Sequence, residues 1–159
     1  MKKIITIQRI LLITLTALSA YLYSCNSSGT AKERMLLNVP LVINKSSEDI
    51  VDMMGKPDSI YNFGSSLGPA LVHRYKRNGI EIYYVNNQAK EIIIREPKPV
   101  KFDMNYIKYI GIIPKDPPDY IIDSTVISWS NIPGYAEIAL ITQAVDDKNF
   151  DYFIMVKAE

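Results

Sequence analysis

The chain has 159 residues, 48% of them hydrophobic and 22% charged, with 18 basic against 17 acidic side chains. That length holds one domain or two small units sharing a core. Near-neutrality removes the basic footprint that nucleic-acid binding needs. The single cysteine excludes an intramolecular disulfide.

The first residues read as an address. Lys2-Lys3 precede Ile10 to Tyr23, an apolar run whose only polar residues are Thr and Ser, and Ser24-Cys25 follows. A basic start, a short apolar core and small residues at the cut make residues 1–24 a secretory signal. The uncharged stretch is shorter than the roughly 20 residues that span a bilayer. Leu22, Ser24 and Cys25 resemble the bacterial lipobox, although Tyr23 departs from its usual small or aliphatic residue. The lipobox implies that Cys25 is lipidated, which consumes its thiol as a thioether and removes it as a nucleophile. Asn26 favours the outer membrane over inner-membrane retention. Without Lys2, Lys3 and Arg9, 15 basic residues face 17 acidic ones. Residues 25–44 read as a tether, polar over Asn26 to Arg34, and an apolar lead-in from Met35 to Ile43 that is expected to be extended.

Residues 45–96 read as a helix followed by a meander. Ser46 stands three before Asp49, a capping-box-like start. Ile50, Met53 and Met54 form one apolar helical face, and Gly55 and Pro57 end the helix. Leu71 to Arg77, Ile80 to Val85 and Ala89 to Arg95 alternate as strands, with tight turns at Asn78-Gly79 and Asn86-Asn87. Tyr61 to Pro69 is expected to be irregular.

Ser46-x-Glu48-Asp49-Ile50-Val51, Met54-Gly55-Lys56-Pro57-Asp58, Tyr75 and Gly79 with its following β-run carry a resemblance. This pattern resembles the family of the small outer-membrane lipoprotein of the β-barrel assembly machinery, and is similar to the repeat of the β-lactamase inhibitor proteins. The resemblance covers Lys45 to Arg95. It implies helices on an antiparallel sheet, no catalysis, and binding through the sheet face and loops. The inhibitor family's disulfides are missing from this chain.

Residues 97–159 read as a second, diverged unit. Asp103 is placed to cap a helix bearing Met104, Ile107 and Ile110, with Gly111 at its end. Ile121 to Trp129, Tyr135 to Thr142 and Phe150 to Lys157 read as strands. Gly55, Gly79 and Glu81 recur in order as Gly111, Gly134 and Glu137 at nearly equal spacing. The expected fold is therefore α+β: short helices packed on an antiparallel β-meander, in two tandem helix-plus-sheet units.

Candidate chemistry is sparse. His73 is the only histidine and reads as a structural group, with no second histidine or free cysteine to share a zinc ion. Asp116 and Asp119 bracket two prolines, and Asp146, Asp147 and Asp151 cluster. Neither set has the glycine and terminal glutamate of an EF-hand, so turn formation is the reading for both. Gly64 to Gly68 lacks a Walker lysine, and Ser65 and Ser66 lack a Gly-x-Ser-x-Gly setting. The cluster His73-Arg74-Tyr75-Lys76-Arg77 reads as a charge-guarded strand edge or a patch for anionic lipid or an acidic partner.

Tyrosine is the informative residue, with eleven in the chain. Rigid amphipathic rings anchor interfaces. Tyr61, Phe63 and Tyr83, with Arg74 and Lys76, are the expected protein-binding residues. The chain is thus expected to be a non-catalytic, lipid-anchored envelope protein that binds another envelope protein and uses no cofactor, metal or nucleic acid. An accessory role in outer-membrane protein assembly and a secreted enzyme inhibitor or immunity protein are the alternatives.

Overall fold

The computed structural model describes residues 35–65, 68–96, 104–122, 125–144 and 150–159. The signal, Cys25, the tether, Asp103, Asp146 and Asp147 lie outside the described residues.

Eight antiparallel strands form one continuous sheet. They are β1 (Ser59–Ser65), β2 (Gly68–Tyr75), β3 (Ile80–Val85), β4 (Gln88–Glu96), β5 (Tyr120–Ile122), β6 (Val126–Trp129), β7 (Tyr135–Ala144) and β8 (Phe150–Ala158). Their spatial order is β1-β2-β3-β4-β8-β7-β6-β5. Among the described residues, helical structure is limited to α1 (Val39–Val42), α2 (Ser47–Met54) and two 3₁₀ segments, Lys76–Asn78 and Met104–Ile110.

This corrects the expected pair of helix-plus-sheet units. The halves share a sheet, because β4 and β8 pair edge to edge with Ile92 opposite Val156 and Ile94 opposite Ile154. Those four side chains are buried in one core that also holds Tyr75, Ile82, Trp129 and Ile138 from both sides of the seam. Separating the halves would expose that apolar row and strip both strands of a ladder, so the joined sheet wins. Nor do the helical pieces form a substantial layer. They are short, and contribute chiefly Val39, Val42, Ile50, Ile107 and Ile110 to the core.

Local chemistry explains most elements. Ser46 caps α2, its Oγ accepting from the Asp49 N–H at 3.1 Å, and Gly55 closes the helix at φ 83°. Of the expected apolar face Ile50 is fully buried, whereas Met53 is exposed. Asn86 and Asn87 both take positive φ, so β3 and β4 meet in a left-handed two-residue turn.

Three expectations fail locally. Tyr61 to Ser65, expected to be irregular, lies in β1, because each residue finds a partner on β2 from Ser59–Arg74 to Ser65–Gly68. The lead-in is not wholly extended: Pro40 sits in the first turn of α1. The single strand expected over Ile121 to Trp129 folds back as β5 and β6, with the Thr125 N–H and Oγ1 donating to the Ile122 carbonyl. The expected single strand overlooked the polar pair Asp123-Ser124 in that run, which lies outside the described residues.

Candidate interaction surface

Strand alternation gives the sheet two unlike faces. One carries Ile80, Ile82, Ile92, Ile94, Ile138, Ile154 and Val156 into the core. The opposite face carries a smaller buried patch of Ala70, Val72 and Tyr83, flanked by Tyr61, Val85 and Ile93.

Cross-strand register arranges that second face in rows. Tyr61, Val72, Tyr83, Glu91, Lys157 and Glu137 follow one another from β1 across to β7. Arg74, Glu81, Ile93, Met155 and Ala139 form the next row. Residues opposite one another on adjacent strands interact most strongly, so the rows set the chemistry.

The aromatic end lies at β1. Phe63 is 53% exposed and meets the Tyr83 ring edge-on at 6.0 Å. Tyr61 is half-buried, and burial followed by the Glu81 charge raises its pKa. Tyr83 is only 7% exposed. Its hydroxyl donates to Glu81 Oε2 at 3.3 Å, and burial first, then Glu81, holds it strongly protonated.

Glu81 is the buried hub of a charged cluster. Arg74 Nε contacts its carboxylate at 3.1 Å, and an Arg95 guanidinium nitrogen lies 4.0 Å away. A carboxylate this buried is costly unless paired, and the two arginines supply that pairing. Both arginine side chains stay 45% exposed. Arg95 also lies over the Phe153 ring at 5.7 Å. Further along, Lys157 Nζ contacts Glu137 at 3.1 Å. Buried Glu91 has its pKa raised by desolvation, with Lys157 pulling it down and Glu137 pushing it up.

Four of the expected residues, Tyr61, Phe63, Tyr83 and Arg74, therefore converge on one face. Tyr83 is mostly support for that face, being buried beneath its neighbours. Lys76 does not join them. It opens the 3₁₀ turn after β2, and its N–H donates to Asp58 Oδ2 at 2.7 Å. The basic cluster does not guard a sheet edge either, since β2 is enclosed by β1 and β3. Sequence reading missed Glu81, Arg95, Phe153, Lys157 and Glu137. The available signal was charge placed at alternate positions inside apolar strands.

The remaining chemistry-bearing residues have structural surroundings. His73 is buried against the Tyr84 ring at 4.7 Å, and desolvation lowers its pKa. Asp119 accepts from the Ser130 N–H and Oγ and from Asn131 Nδ2, so instead of forming a local turn it ties the start of β5 to the residues just after β6. Among the described residues no group of three His, Cys, Asp or Glu side chains is placed to hold a metal ion. No described helix is long and apolar enough to cross a membrane.

No family model matches the chain, and neither the characterised proteins nor the solved structures compared with it include a similar one.

Proposed function

We propose that the chain is a non-catalytic binding module of a bacterial cell envelope, tethered through lipid on Cys25, that docks a protein on the exposed rim of the second sheet face. The observation that carries this reading is the solvent-facing rim around Tyr83: exposed Phe63, half-buried Tyr61, and two half-exposed arginines pinned by Glu81. Interfaces are built this way, with aromatic and arginine anchors held rigid around a packed centre. The ion pairs leave guanidinium surface outward, which suits a partner with an apolar contact ringed by carboxylates. The lipobox-like Leu22-Tyr23-Ser24-Cys25 and the family resemblance over Lys45 to Arg95 support the envelope setting.

The test is recovery of a heterologous protein with the lipidated full chain from crosslinked cells, comparing Phe63→Ala and Phe153→Ala with the parent. Both substitutions are expected to lower recovery. Unchanged recovery with both would overturn the docking face.

A further inference from the structure

The outer edge of β1 carries an inference that goes beyond the face reading while sharing Tyr61 and Phe63 with it. We propose that this edge is a self-pairing surface, and that two copies of the chain join β1 to β1 in antiparallel register centred on Asn62.

β1 ends the sheet, and among the described residues no strand pairs with its outer side. An exposed edge strand presents unpaired N–H and C=O groups to any second strand. Natural edges are blunted by lysine, proline, a bulge or shortness. β1 has none of these. It is seven residues long, carries no charge and no proline, and keeps unbroken register with β2. Apolar side chains flank the edge on both faces of the sheet, Ile60 at 58% exposed and Phe63 at 53%. The other edge, β5, has only three residues.

The sequence of β1 argues for a second copy as the occupant. Ser59-Ile60-Tyr61-Asn62-Phe63-Gly64-Ser65 has serine at both ends, aromatic rings on both sides of a central asparagine, and Ile60 and Gly64 as its one unlike pair about that centre. Antiparallel pairing about Asn62 sets Ser59 opposite Ser65, Ile60 opposite Gly64, and Tyr61 opposite Phe63, each twice. Two Asn62 residues face each other on the axis. Aromatic cross-strand pairs are among the favourable ones, and no like charges meet. A two-fold axis normal to the sheet gives the isologous contact that most dimers use. It also places both Tyr61–Phe63 rims on the same side of the joined sheet.

Disulfide trapping in intact cells tests this with the full chain. In an antiparallel pair, opposed Cα atoms lie about 4.5–5.5 Å apart, within disulfide reach. Asn62→Cys is expected to convert most of the chain to a covalent dimer. Ile121→Cys on β5 and Met53→Cys on α2, both exposed, are expected to leave it as the parent runs. Coexpressed Ile60→Cys and Gly64→Cys chains are expected to crosslink with each other, and Ile60→Cys alone is not. Asn62→Cys trapping no more dimer than the two controls, or trapping a different protein, would overturn the proposal. Dimers from Asn62→Cys without the Ile60–Gly64 crosslink would overturn the register.

Discussion

Asn87, in the β3–β4 turn, holds the first residue of α2: its Oδ1 accepts from the Ser47 Oγ at 2.9 Å and from the Ser47 N–H at 3.3 Å. Its Nδ2 donates to Glu48 at 3.1 Å. The same side chain type tolerates the positive φ the turn demands. One asparagine thus ties hairpin geometry to helix placement. Asn87→Gly keeps the backbone and removes the tie, and is expected to cost about 1–2 kcal/mol. Asn87→Ala adds left-handed strain of about 1 kcal/mol. Urea unfolding of both variants checks the order: an Asn87→Gly chain as stable as the parent would show that the side-chain bonds contribute nothing, and equal loss in the two variants would show that the left-handed strain contributes nothing.

Gly79 has a second constraint besides φ 64°. Its carbonyl accepts from the Arg95 N–H at 2.7 Å, and a Cβ there would collide with the Arg95 carbonyl oxygen. Gly79→Ala is therefore expected to cost about 2 kcal/mol or more. Gly134, at φ 87° with open space around its Cβ direction, is the control. Gly134→Ala is expected to lose only about 1 kcal/mol. Denaturant midpoints decide the comparison.

Phe63 and Tyr83 separate binding from folding. Truncating exposed Phe63 is expected to change stability by no more than about 1 kcal/mol, mostly the lost edge contact with Tyr83. Truncating buried Tyr83 to alanine is expected to cost about 3–5 kcal/mol. Tyr83→Phe keeps the ring and removes only the hydroxyl bonded to Glu81. Thermal unfolding alongside partner recovery distinguishes these: a Tyr83→Ala chain as stable as the parent would contradict its supporting role.

His73 sets a pH dependence. Burial lowers its pKa below the ordinary 6.5, with Glu48 opposing. As pH falls through 6.5 the unfolded chain takes up a proton that the folded chain refuses. The favourable contribution is therefore full above that pH and is lost below it. Parent stability is expected to fall between about pH 7.5 and pH 5.5, and His73→Phe to flatten that slope. At lower pH the raised pKa of Glu91 acts in the opposite sense, favouring the folded chain as its carboxyl protonates. An unchanged slope in His73→Phe would show that another group carries the effect.

Much of the first half was legible because its signals are local. The Ser46 cap, Gly55, the asparagine turns and the alternation of Ile80 to Val85 each act within a few residues. β1 was not legible, since Asn62, Gly64 and Ser65 have low strand propensity and the strand exists through its pairing with β2. The single sheet was hidden for the same reason. Nothing near Ile92 or Val156 announces that they will be neighbours; that depends on pairing between distant strands. Tyr61, Phe63 and Arg74 stand out in the sequence as aromatic and basic anchors rather than from alternation, and their sharing a face follows from the β1–β2 pairing that the sequence hid. Glu81 and Arg95 escaped because their value lies in a cross-strand ion pair.

Docking of another protein on the second sheet face, proposed above, has one direct test. A photoreactive phenylalanine at Phe153, beneath Arg95 and away from the β1 edge, tests it in intact cells with the full chain. Met53, exposed on α2, is the control position. A discrete adduct with a different protein is expected from position 153 and none from position 53. No adduct at 153, or the same adduct from both positions, would contradict it.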